Sequence, residues 1–162
     1  RIRSEKRLKP AFVYYALLSL IYITPLAILA FFGFGDLSSL KSFSEIFLIG
    51  FVILLYPLLL AGSLIGAGIL HLFVKLFKGK GDFSATYKVT VYSETPTLLF
   101  GWIPFVSIVT GIYSIYLMVK GVSILHDMSM WKAFAAVFVI PLIIVLIVAA
   151  IFAGLAYFLE FI

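Results

Sequence analysis

Residues 83–103 read FSATYKVTVYSETPTLLFGWI, and the number of membrane crossings turns on them. Alone, the segment makes a poor spanning helix, because it carries Ser84, Lys88, Glu94, Thr95 and several other polar residues. Their positions are not random, however. Thr86, Thr90, Ser93 or Glu94, and Thr97 recur at three-to-four spacing, which places them along one helical face. Such a helix can cross lipid when that face packs on protein or lines water.

The flanking chain is far more apolar. Of 162 residues, 64% are hydrophobic and 12% charged, where a soluble domain carries about twice that share of charge. An 18 kDa soluble fold cannot bury so much apolar surface, so lipid is the solvent. That excludes a cytosolic enzyme, a secreted disulfide scaffold and a disordered regulator. Cysteine, asparagine and glutamine are all absent. There is therefore no thiol chemistry, and losing the thermolabile residues together points to a thermophilic prokaryote. The start at Arg1-Ile2-Arg3, without methionine, suggests a fragment or processed product.

Working outward from 83–103, the pattern predicts an all-α, polytopic membrane bundle of five transmembrane helices. The spans run over about 11–34, 46–74, 83–103, 105–125 and 131–158. Pro25 and Pro141 should interrupt the first and last. Residues 1–10 form a basic cytoplasmic segment, and 11–162 the membrane domain. The second helix should continue to residue 77, about 48 Å against a hydrocarbon core of roughly 30 Å. His71, Lys75 and Lys78 should then emerge from the core before the break at Lys78-Gly79-Lys80-Gly81-Asp82. Charge supports five crossings. With the N-terminus cytoplasmic and the C-terminus outside, Lys41 is the only one of the 12 basic residues placed outside. If 83–103 did not cross, Lys120 and Lys132 would join it.

Glu94 is the sharpest chemical feature. It lies about 18 Å along a helix from Asp82, past the bilayer midplane, where an ionised acid costs roughly 2.5–3.5 kcal/mol. With Tyr92, Ser93, Thr90, Thr97 and Pro96 it forms an intramembrane polar site that could contact a proton, a cation or a substrate. Equally, it could lock helix packing through hydrogen bonds. Pro96 should free the Tyr92 carbonyl as an acceptor. His71 and His126 could meet near the cytoplasmic ends of their spans, with Asp127 beside them. Two histidines and an acid without ligand spacing make no metal signature, so no metal or other cofactor is expected. Nor is there a serine-protease, metalloprotease or phosphate-loop motif.

Lys75, Lys78, Lys80, Lys88, Lys120 and Lys132 form a basic cytoplasmic rim. It could hold anionic lipid headgroups or an acidic partner. The one-sided charge does not indicate nucleic-acid binding. Gly62 with Gly66, Ser107 with Gly111, and Ala150 with Gly154 are small-residue pairs that permit close helix contact, within one protomer or in a homo-oligomer.

Taken together, the polar third span and the short turn after it resemble the Yip family (Ypt-interacting proteins). The likeness covers residues 11–158. It rests on Tyr92-Ser93-Glu94-Thr95-Pro96, Gly111-Ile112-Tyr113, Lys120-Gly121, His126, Ser129, Lys132-Ala133 and Pro141. The resemblance implies a non-enzymatic integral membrane protein with no catalytic motif to carry over. It also implies association with related membrane proteins and a membrane-organising or trafficking role. Eukaryotic members bind prenylated Rab-type GTPases. This chain lacks their Asp-Leu-Tyr-Gly-Pro motif before the first span, so GTPase binding is not carried over. The alternative is a small transporter or proton- or ion-conducting protein built on the polar face around Glu94.

Overall fold

The computed structural model describes residues 8–32 and 45–139 and, further along, 141–143, 145, 146, 149 and 150. These residues form an all-α bundle of five helical arms, with no strand among them. Helix α1 is Lys9–Phe32, with Pro25 inside it. Helix α2 is Glu45–Leu76, whose 32 residues give about 48 Å of helix. The third arm is α3 (Phe83–Ser93) followed by α4 (Thr95–Phe100). Helix α5 is Val106–Leu125. The fifth arm begins with α6, Met130–Phe134, and runs into a π-helical turn, Ala135–Val139. Pro141 follows that turn. A proline has no N–H to continue the ladder, and a wide turn is one way to accommodate the gap.

Three stretches are long and apolar enough to cross a membrane: Lys9–Ile28, Ile53–Leu76 and Val106–Leu125. Their apolar windows are only 28%, 17% and 22% buried, whereas eight of the eleven α3 residues are buried. The most polar helix is therefore the most interior one, the reverse of a water-soluble domain. In lipid, an apolar flank can face outward at no cost, while hydroxyls need protein partners. Helix α3 accordingly feeds both cores. Val89 joins Leu70, Val74, Val119, Val122 and Met128 on one side. Tyr87 and Val91 join Ala11, Tyr15, Ala67 and Leu98 on the other.

The α2–α3 connection is shaped by packing on His126. Helix α2 closes with Lys78 N–H bonded to Lys75 O (2.9 Å) and Gly79 N–H to Val74 O (2.9 Å). This is a Schellman pattern with Lys78 in the left-handed conformation, φ 61°. Gly79 and Gly81 are needed for close approach. A Cβ on Gly79 would sit 2.5 Å from Val74 Cγ1, and one on Gly81 2.5 Å from His126 Nδ1. Asp82 then caps α3, its carboxylate accepting from Ala85 N–H at 2.9 Å.

One assignment needs correction and another is narrowed. Lys88 is 3% exposed and belongs to no surface rim, because α3 is enclosed by neighbouring helices. Within one protomer, Gly62, Gly66 and Gly111 mark no tight contact among the described residues, since nothing there lies within 4 Å of a Cβ added to any of them. On α2 the inward positions are the neighbouring Ser63 and Ala67. The close approach of α3 and α5 occurs instead at Gly121, where a Cβ would lie 2.9 Å from Val89 Cγ1.

Candidate functional site

Along α3 and α4 each polar side chain finds a different neighbour. At the end nearest the 78–82 loop, Thr86 Oγ1 lies 2.7 Å from His71 Nδ1 and 3.1 Å from His126 Nε2. A single hydroxyl proton cannot serve both rings, so at least one imidazole donates to the hydroxyl. The ring centroids are 6.1 Å apart. His126 is fully buried. Its burial, then the neighbouring His71 and Lys75, push its pKa from 6.5 down to about 4, against a smaller pull from Asp82. Among the described residues His126 Nδ1 has no hydrogen-bond partner; it faces Gly81. The two histidines thus meet, as their positions allowed; Thr86 joins them, and Asp82 is close enough to act on both rings. Among the described residues no group of three metal-ligating side chains forms.

One turn further on, Thr90 donates to Thr86 O (3.1 Å) and Ser93 to Thr90 O (2.9 Å). The helix then breaks at Glu94, and α4 restarts with Pro96 in its first turn. The Tyr92 carbonyl next to this break accepts from Thr95 Oγ1 at 2.8 Å. Because Thr95 spends its proton there, Tyr14 must donate to Thr95 Oγ1, at 2.8 Å. The Tyr14 ring also packs on Tyr92 at 5.0 Å. Thr97 shares a 2.9 Å hydrogen bond with Ser114 of α5. On the α2 side, Ser63 donates to Leu60 O (2.8 Å), which leaves Tyr87 to donate to Ser63 at 3.4 Å.

Glu94 itself is half-buried and interacts with the Tyr15 hydroxyl of α1. It borders a cavity of about 270 Å³ with Thr90, Gly66, Phe73, Met118, Val137 and Pro141. The lining is apolar apart from Glu94 and Thr90. Tyr92, Ser93 and Thr97, grouped with Glu94 on sequence spacing, point to other partners. Tyr15, Tyr14 and Ser114 escaped the sequence reading. The available signal was a hydroxyl in an otherwise apolar span, which needs a partner in lipid.

The basic residues separate likewise. Lys75 donates to Gly79 O at 3.2 Å, and Lys120 lies 5.8 Å above the Tyr116 ring. Lys78, Lys80 and Lys132 are exposed. Ser107 is half-buried and Ala150 exposed, while Gly154 lies outside the described residues. Compared with known proteins, the chain matches the family profile described as the Yip1 domain over residues 1–152. No curated protein and no solved structure matches it.

Proposed function

The chain belongs to the Yip1 domain family, and from that membership we propose that it is a non-enzymatic membrane-organising protein of trafficking type. It acts by lateral helix association and by contacts of its basic rim with anionic lipid or an acidic partner. The carrying observation is that hydroxyls along the third arm bond to neighbouring helices inside the molecule. Thr86 ties α3 to His71 and His126, Tyr87 ties it to Ser63, and Thr97 ties α4 to Ser114. These bonds clamp the arms together and leave the outer flanks apolar. Ile53, Leu54, Leu58 and Leu72 on α2, and Ile108, Val109 and Ile112 on α5, are all exposed. Gly62 and Gly111, without close neighbours, suit the approach of a second helix. The charge distribution supports a cytoplasmic N-terminus, and the amide-free composition supports a prokaryotic cell membrane.

A second reading has its own support. Glu94 on an otherwise apolar cavity is an arrangement that could take a proton or small cation. Reconstitution separates the two. In proteoliposomes the protein should pass protons and small ions no faster than empty vesicles. It should also self-associate, measured by photobleaching steps in a bilayer, with Gly62→Leu weakening that association. Flux that Glu94→Gln abolishes would replace the organising role with transport.

A further inference from the structure

Helix α5 packs inward through Thr110, Ser114, Val119 and Val122, its buried residues. Its opposite flank carries a second pattern. Val106, Val109, Tyr113, Tyr116 and Lys120 follow one another at spacings of three, four, three and four, the seam spacing of a left-handed helix pair. All five are exposed, Val109 at 68%, Tyr113 at 52% and Tyr116 at 48%. Tyr116 does not sit where an interfacial aromatic belt would hold it. It is ten residues from Val106 and nine from Leu125, about 15 Å and 14 Å from the two ends of the helix, so it stands at mid-span. The Tyr113 and Tyr116 rings stack at 6.3 Å, and Lys120 Nζ lies 5.8 Å from the centre of the Tyr116 ring; among the described residues neither hydroxyl has a hydrogen-bond partner. Inside the bundle, by contrast, Tyr14, Tyr56 and Tyr87 each find a polar atom, at 2.8, 3.0 and 3.4 Å. Hydrocarbon offers the two outward hydroxyls nothing to bond.

We infer that this seam pairs α5 with α5 of a second copy of the chain, as a parallel dimer about a twofold axis along the bilayer normal. Both copies insert the same way round, so each seam residue meets its own counterpart. A tyrosine hydroxyl both donates and accepts, which makes the stripe its own complement: Tyr113 bonds its counterpart, and Tyr116 does the same. The stripe holds no acid. Its one cation, Lys120, is served by the Tyr116 ring, and a single lysine in such a seam fixes the register. The inference rests on the lateral-association reading and adds to it a face distinct from Gly62 on α2.

The chain contains no cysteine, so single cysteines map the face on the full chain in bilayers. Val109→Cys on the seam and Ile108→Cys one residue off it replace side chains of similar exposure, 68% and 63%. Because a disulfide needs its Cβ atoms about 3.8 Å apart, a membrane-permeant oxidant should cross-link Val109→Cys about tenfold faster than Ile108→Cys. Changing Tyr113 and Tyr116 together to phenylalanine keeps the rings and removes the hydroxyls. The density at which half the protein is dimeric, read from photobleaching steps in the bilayer, should then rise about eightfold, the factor given by two average interhelical hydrogen bonds. Equal cross-linking of the two cysteines, or an unchanged dimer in the phenylalanine variant, overturns the inference. If Gly62→Leu disperses the dimer and the phenylalanine variant does not, the α5 face fails and lateral association stands. If the unaltered protein is monomeric at every density, because lipid or another protein covers the seam, both fail.

Discussion

Replacing Thr86 by valine tests the junction where α2, α3 and the end of α5 meet. Valine matches threonine in shape, so the change removes a hydroxyl and little else. Two interactions go with it, to His71 Nδ1 at 2.7 Å and to His126 Nε2 at 3.1 Å. The losses are unequal. His71 is half-buried and can find water or another partner, so its bond is worth about 0.6 kcal/mol, the mean for interhelical hydrogen bonds in membrane proteins. His126 is 0% exposed, and its Nδ1 already lacks a partner among the described residues. Losing the Nε2 contact orphans the whole ring, at a cost of about 1–3 kcal/mol. Thr86→Val should therefore destabilise the protein by about 2–4 kcal/mol. Thr86→Ser keeps the hydroxyl and should recover most of the loss. Reversible unfolding in mixed micelles, followed by circular dichroism, measures both. A loss below about 0.5 kcal/mol for valine, or a serine variant as unstable as valine, would refute the reasoning that the hydroxyl holds the junction.

The same histidine makes stability pH-dependent. In the folded protein its pKa is about 4 against an ordinary 6.5, so between those values the unfolded chain binds a proton that the folded one refuses. Its contribution is complete above pH 6.5 and is lost as pH falls to about 4. The Cε1 proton of His126 should titrate near 4 by nuclear magnetic resonance, and a midpoint near 6.5 would contradict its buried, neutral state. Lys78 holds the left-handed position that ends α2, which costs a residue with a Cβ about 1–2 kcal/mol. Lys78→Gly should raise stability by about 1 kcal/mol in the same unfolding assay, and no gain would mean that the side chain compensates for the strain.

Much of the architecture was legible in the chain. Apolar run lengths set the helical arms, and the structure places α2 over Glu45–Leu76, close to the expected reach to residue 77. The helix break near Pro96 and the interruption before Pro141 follow from the missing proline N–H. Three-to-four spacing marked a polar face on α3, because periodicity along one helix is a local property. What that face touches is not local. Sequence could not reveal that Thr86 joins two histidines 15 and 40 residues away, or that Thr97 of α4 meets Ser114 of α5.

The lysines and glycines show the same division. Lys88 counts as a rim charge by residue type and as a buried group by position. The Gly62–Gly66 spacing permits close contact, yet the tight approach is at Gly121. By itself the sequence determined the solvent, the helical class and the side of α3 that must be satisfied, because composition and period are properties of the chain alone. Only the tertiary structure decided who satisfies it. A hydroxyl in lipid demands a partner, but which of several polar groups supplies it depends on how the helices rotate and slide when they pack.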